Sequence, residues 1–402
     1  MSNPPTAAPR RAVVITVLGL TQILAWGSSY YLLAVLAPVV AGDTGWPLPW
    51  VVGGLALGLL TAGLASPRVG RAIDRRGGRP VLAASAGLFA LGLCGLASAA
   101  SLPAYLAAWL VLGLAMGDGL YDAAFATLGR LYGQGARQAI TVLTLFGGFA
   151  STLCWPLSAL LTAWLGWRGA CLAYAALHLT VALPLYLLAV PRLQPADRAK
   201  ASAHRRPTAT APPRQLFLLL AATITVGSAV SALMAVHLLT ILQARDIALA
   251  TAVALGALVG PAQVGARTVE MVIGRHHHPI WTMVASTVLV AAGVGLLWAG
   301  LPVPALALML YGAGIGIESI ARGTLPLALF GADGYATVMG RLAMPSLLAQ
   351  AGAPVLGAIL LQLVGPDGTL ATLLALALID VALVMTLVAR MRAAVARPGV
   401  PA

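Results

Sequence analysis

Residues 70–80 read Gly70-Arg71-Ala72-Ile73-Asp74-Arg75-Arg76-Gly77-Gly78-Arg79-Pro80. One carboxylate, Asp74, stands among four arginines, and two glycines with a proline punctuate the stretch as a turn. On either side the chain is apolar over 50–69 and 80–100, each roughly the 20 residues that cross a bilayer as a helix. The stretch is therefore a short basic loop between two membrane spans. Asp74 sits at a helix end in a dense basic field. A carboxylate there can accept charge-assisted bonds from Arg75, Arg79 or Arg130, or cap a helix N-terminus.

The pattern continues outward. Of 402 residues, 60% are hydrophobic and 9% charged, against about 25% charged in soluble domains. So few charges cannot cover a water-exposed surface, and lipid must solvate most of it. Mean hydropathy is +0.93. Twelve apolar segments follow, at roughly 13–38, 50–69, 80–100, 103–128, 138–165, 168–190, 215–242, 247–271, 279–299, 302–328, 338–364 and 369–391. The net charge of +13 is a topology signal and no sign of nucleic-acid binding. One set of loops holds Arg10/Arg11, Arg68–Arg79, Arg130/Arg137, the 191–214 stretch, Arg275, Arg341 and Arg390/Arg392/Arg397; the opposite loops hold Arg168 and Arg245. Excess positive charge stays inside, which predicts cytoplasmic termini in a cell (inner) membrane. The run after Arg10 and Arg11 shows no small-residue cleavage site and is expected to be a first membrane helix. Pro191–Arg214, with Arg192, Arg198, Lys200, Arg205 and Arg206, is expected to be a cytoplasmic linker between bundles 1–190 and 215–402. Cys94, Cys154 and Cys171 lie in apolar runs as packing residues.

The chain is also written twice. Gly27-Ser28 returns as Gly227-Ser228, Leu131-Tyr132-Gly133 as Leu329-Phe330-Gly331, and Trp155-Pro156-Leu157 as Ala353-Pro354-Val355. A near-constant offset of about 200 residues marks a duplicated unit, and duplicated units running in one direction are how many secondary transporters are built.

Residues 70–80 resemble the Gly-x-x-x-Asp-Arg-x-Gly-Arg-Arg loop of the major facilitator superfamily, with Gly78 where the family usually has its first basic residue. The loop falls between spans two and three. A degenerate copy lies between spans eight and nine: Gly260-Pro261-Ala262-Gln263-Val264-Gly265 echoes Ser66-Pro67-Arg68-Val69-Gly70, and Glu270 falls near the place of Asp74. More loosely, Gly166-Trp167-Arg168-Gly169 and the Trp26/Tyr30/Tyr31 segment look like the monocarboxylate and oxalate/formate branches. The resemblance implies an all-α fold of two six-helix bundles. It also implies a cytoplasmic gate at Gly70, Asp74, Arg75, Gly77, Arg79 and Arg130, and a central cavity lined by spans 1, 4, 7 and 10. The alternative for these arginines is topology alone.

Charged groups inside spans are costly, at least about 2.5–3.5 kcal/mol at midspan, and mark function by default. Span 4 carries Asp118, Tyr121 and Asp122, the carboxylates at i,i+4 and so on one helical face; span 10 carries Glu318 and Arg322 at the same spacing. Three carboxylates and one guanidinium cannot all be comfortably ionised in a partly dry cavity, which is a physical basis for proton coupling. Arg322 is either the partner of Glu318 or the anchor for a substrate carboxylate. The alternative is a static ion-pair network. Gln22, Trp26 and Tyr30 form a stripe at i, i+4, i+8 suited to an organic solute or to packing. Ser228, Ser231, Trp155 and Gln263 are further cavity candidates. His237 reads as a hydrogen-bonded structural histidine, Arg267 with Glu270 as an ion pair, and Arg275-His276-His277-His278 as a solvated loop without metal-ligand spacing. Asp380 stands alone in span 12.

These features predict a monomeric secondary transporter of a small organic solute, with an organic anion or monocarboxylate suggested by Arg322. It would work by alternating access, as symporter or antiporter, with the proton as coupling ion and without a cofactor. The alternative is an exporter of cationic or neutral amphipathic compounds. A membrane-embedded enzyme using Asp118 and Asp122 fits least, because no nucleophile–base set accompanies them.

Overall fold

A computed structural model describes residues 11–192 and 214–395. Arg10, Arg198, Lys200, Arg205, Arg206, Arg397 and nearly all of the 191–214 stretch lie outside the described residues. Among the described residues there is no strand, as lipid requires of anything but a closed barrel. The helices are α1 Arg11–Gly27, α2 Leu33–Thr44, α3 Leu48–Arg76, α4 Gly78–Ser98, α5 Leu102–Gly119, α6 Tyr121–Tyr132, α7 Ala136–Gly148, α8 Ala150–Leu177, α9 Leu183–Ala189, α10 Arg214–Gln243, α11 Leu249–Ala257, α12 Val259–Ile273, α13 Pro279–Trp298, α14 Pro304–Phe330 and α15 Tyr335–Val395. Several begin with proline in the first turn, where its missing N–H is no loss.

Two of these helices hide a reversal. Gly166 (φ 69°) and Gly365 (φ 67°) leave helical geometry inside α8 and α15, in the positive-φ region that glycine enters at little cost. Ser158 and Tyr174 join their hydroxyls at 2.8 Å, although 16 residues of straight helix would span about 24 Å. The chain therefore doubles back between them. With these turns, and with α1–α2, α5–α6, α7 with the first half of α8, the rest of α8 with α9, and α11–α12 each taken as one crossing, the helices follow the twelve apolar segments.

The chain divides into two compact units. Unit 1 comprises residues up to Arg206 together with Gly334–Gly340; unit 2 comprises Pro207–Asp333 and the rest from Arg341. One helix contact is built in the same way in both. In unit 1, a side chain at Gly113 would meet the backbone of Gly58, and one at Gly117 that of Ala62, so α5 lies directly on α3. In unit 2, Gly312 lies on Val259 and Gly316 on Gln263, bringing α14 onto α12 in the same way. Small residues permit this approach where lipid gives helices no hydrophobic reason to associate.

The loop ends poor in arginine are stapled twice, with the signs exchanged. In unit 1, Asp43 at the end of α2 accepts from Arg168 at 2.5 Å and from the Trp167 indole N–H at 2.8 Å. Arg168 stacks 4.2 Å over the Trp167 ring and reaches the Ala99 carbonyl at 3.4 Å. In unit 2 the cation sits on the other loop: Arg245 pairs with Asp367 and donates to the carbonyls of Leu297 and Trp298. Three loops are tied in each case.

The Trp167 N–H, and after it Arg168, hold the Asp43 carboxyl below its ordinary value. A lowered carboxyl contributes stability that is present above the unfolded-state pKa and lost as pH falls through the folded one. Asp43→Asn should therefore lower the thermal midpoint of the purified protein slightly at neutral pH, because exposed pairs are screened. The gap to wild type should close as pH falls below about 4. A gap unchanged at acid pH would contradict this.

Candidate functional site

In unit 1 the candidate residues gather where two spans break. Between α1 and α2 the Tyr31 N–H reaches back to the Trp26 carbonyl at 3.0 Å, a widened turn. Between α5 and α6, Leu120 is extended (φ −84°, ψ −169°). The spacing of Asp118 and Asp122 implies one helical face, and that of Gln22, Trp26 and Tyr30 one stripe. The break at Leu120 parts Asp118 from Asp122, and the turn after Gly27 parts Tyr30 from Gln22 and Trp26, which stay together on α1. Gln22 is fully buried, and its amide donates to the Gly119 carbonyl at 2.6 Å, which the break at Leu120 helps to free. The signal was present in Gly117-Asp118-Gly119 and Gly27-Ser28-Ser29, glycine-flanked polar residues inside apolar runs.

The breaks assemble an aromatic cluster. Trp26 lies 5.3 Å from Tyr30, 6.0 Å from Tyr31 and 5.1 Å from Tyr121, ring centre to ring centre. Tyr31 stands edge-on to Trp155 at 6.1 Å. Trp155 is 45% exposed. It borders a groove of about 490 Å³ with Ala34, Val35, Ser151, Thr152 and Pro156, a volume within the ordinary range of ligand pockets. Asp118 is partly buried and makes no hydrogen bond or ion pair among the described residues. Asp122 lies in the first turn of α6, where the helix dipole favours an anion.

The basic loop has one specific partner. Asp74 Oδ2 accepts the Thr337 backbone N–H at 2.8 Å and its hydroxyl at 2.5 Å. Of the two roles open to this carboxylate it thus takes the second, capping the first turn of α15. Among the described residues no ion pair links it to Arg75, Arg79 or Arg130. Gly70 and Gly340 carry the same contact: side chains there would strike the backbones of Ala336 and Ser66. Gly77 turns at φ 81°. Gly78, which departs from the family loop, lies against Thr127, and a longer residue would collide with it.

In unit 2, Arg322 acts on Glu318 one turn away on α14 and also donates to Ser346 Oγ at 2.9 Å. Arg267 and Glu270 are not paired. Arg267 donates to the Gly316 carbonyl at 3.0 Å and to the Gln263 amide oxygen at 3.3 Å. Glu270 accepts from Thr282 at 2.6 Å and lies 3.6 Å from His277. Ser228 is buried on α10, and the Ser231 carbonyl accepts from Tyr311 at 3.4 Å. His237 bonds the Pro354 carbonyl at 3.0 Å, a structural role. His278 caps α13 through the Ile280 N–H at 3.1 Å. The residue that sequence reasoning left without a role is Asp380, which lies beside Gly227 together with Glu318.

A twice-built helical membrane body with broken spans and ionisable groups inside them has the form of a membrane transport protein. The chain matches the family model of the Major Facilitator Superfamily over residues 18–276 and belongs to that family, whose members are transporters and not enzymes. It is a multi-pass membrane transporter. Its fold is shared with the human organic anion transporter MFSD10 (TETRAN), at 20% identity and TM-score 0.73, covering 94% of this chain and 100% of that one. It is shared too with the proton:xylose symporter XylE, solved with 6-bromo-6-deoxy-D-glucose, at 12% identity and TM-score 0.75, covering 94% and 95%. No curated protein matches the chain.

Asp74→Ala removes both acceptor contacts and should lower the thermal midpoint more than Thr337→Val, which removes only the hydroxyl. A hydrogen bond to a charged group contributes about 1.5–3 kcal/mol. The double variant should fall no further than Asp74→Ala alone. Additive losses in such a cycle would show that the two residues do not act together.

Proposed function

We propose that this protein is a secondary active transporter that moves a small organic solute across the cytoplasmic membrane by alternating access of its two halves. It is coupled to protons, acts as a monomer and has both termini in the cytoplasm. The carrying observation is the ring cluster of Trp26, Tyr30, Tyr31, Tyr121 and Trp155 beside a groove of about 490 Å³. Rigid rings with polar edges hold an organic body and orient it. Arg322 keeps its charge at all working pH and presents a planar fork to a substrate carboxylate. Asp118, Asp122 and Glu318 supply exchangeable protons. Gln22, Ser228, Ser231 and Gln263 support the lining. Gly70, Asp74, Arg75, Gly77, Arg79 and Arg130 form the cytoplasmic gate, with the Asp74–Thr337 contact as its fastening.

One observation favours a second reading, export of cationic or neutral amphipathic compounds. Asp118 has no described partner in the same unit as the ring cluster, and rings with a nearby carboxylate suit an organic cation. Counterflow in proteoliposomes, with and without a pH gradient, separates the two. The first reading expects exchange of organic acids, accelerated by the gradient and cut at least tenfold by Arg322→Lys, since a point charge does not replace a bidentate fork. Exchange of amines alone, abolished by Asp118→Asn and indifferent to Arg322→Lys, would establish the second.

A further inference from the structure

Gly227 on α10 has two carboxylates where a side chain would be. A Cβ built there would stand 2.8 Å from Glu318 Oε1 and 3.3 Å from Asp380 Oδ2. Glu318 enters from α14 and Asp380 from α15, within unit 2. The two oxygens therefore lie no more than about 6 Å apart, within the distance at which like charges oppose each other's ionisation. Asp380 is 5% exposed, and its other oxygen, Oδ1, is buried without a hydrogen-bond partner among the described residues. One turn earlier on the same face of α10, the Thr223 hydroxyl is also buried and unpartnered.

Arg322, one turn along α14, places its charge near Glu318 and donates to Ser346 on α15 at 2.9 Å, while nothing of the kind stands beside Asp380 among the described residues. Arg267 on α12 donates to the carbonyl of Gly316 at 3.0 Å. His237 on α10 bonds the Pro354 carbonyl at 3.0 Å. Two anions in such a place would carry both a desolvation cost and mutual repulsion. One proton removes a charge and supplies a donor that a carboxylate pair otherwise lacks.

We infer that Glu318 and Asp380 hold a single proton between them across Gly227, forming a proton-binding pair on α10, α14 and α15 apart from the Arg322–Ser346 contact. The carboxylic O–H of one donates to the carboxylate of the other, and the proton belongs to the pair rather than to either residue. Taking up and giving off that proton exchanges one H⁺ with water and changes no other bond. Glycine is needed at 227 because a methyl group there would crowd Glu318 out of reach. Use of the pair as the coupling site rests on the transport reading above; its existence does not.

Infrared absorption of the full-length protein in lipid nanodiscs, at neutral pH in choline chloride, reads the C=O stretch of protonated carboxyl groups directly. Wild type should show such a band. Asp380→Asn and Glu318→Gln should each remove or shift it, and Asp333→Asn, on the exposed turn after α14, should leave it in place. Should Asp380→Asn fail to elute as folded protein, Asp380→Glu keeps the acid on a longer arm and should shift the band. A wild-type spectrum without the band overturns the inference, as does a band untouched by both substitutions or lost with Asp333→Asn. A band that disappears when sodium replaces choline also overturns it, assigning the pair to a metal cation. A positive spectrum from a protein that exchanges no solute in counterflow would retire the transport reading and leave the proton pair standing.

Discussion

Backbone approach between helices is the constraint on which the two units depend. Inside lipid there is no water to satisfy a peptide group and little hydrophobic gain in bringing helices together, so contact must come from close surfaces. Gly113 and Gly117 let α5 rest on Gly58 and Ala62 of α3, and Gly312 and Gly316 let α14 rest on Val259 and Gln263 of α12. This contact also explains Arg267. With Gly316 lying on Gln263, the Gly316 carbonyl is within reach of the guanidinium, and Arg267 takes it at 3.0 Å. Where spans break, a polar side chain meets the exposed groups: Gln22 takes the Gly119 carbonyl, and Ser28 meets His178 at 2.8 Å.

Much of the architecture was legible in the residues because it follows from length and charge bias. A bilayer demands runs of fixed length, and the arginines of 68–79, 130 and 137 mark one set of loops. The duplication is visible in Gly27/Gly227 and Pro156/Pro354 and returns in the packing of the glycines. Pairings across long sequence separations were less accessible. Nothing local says that Asp74 will cap a turn beginning at Tyr335, because the contact depends on a chain segment that returns after several spans. Spacing misled at Asp118/Asp122, where the helix breaks at Leu120. At Glu318/Arg322 the helix is continuous and the guanidinium acts on the carboxylate, but it also takes Ser346, a neighbour that spacing could not name. Asp380 looked isolated because its company, Glu318 beside a bare glycine, comes from two other helices.

The staples at the arginine-poor loops show how a duplicated body can diverge without losing its plan. Asp43 faces Arg168 in one unit, and Arg245 faces Asp367 in the other. Each cation also binds a carbonyl of the third loop, so the geometry survives although the signs are exchanged. The functional groups have diverged further. Unit 1 carries rings, a groove and carboxylates at helix breaks; unit 2 carries the guanidinium and the carboxylate pair.

The most direct measurement of the transport account is the transient current of the reconstituted protein on a solid-supported membrane, after a rapid jump to an organic acid at fixed pH. The account predicts a charge displacement that saturates with acid concentration and is lost in Arg322→Gln. Silence of the wild type toward acids, amines and neutral solutes alike, from a protein that elutes as folded, would contradict it.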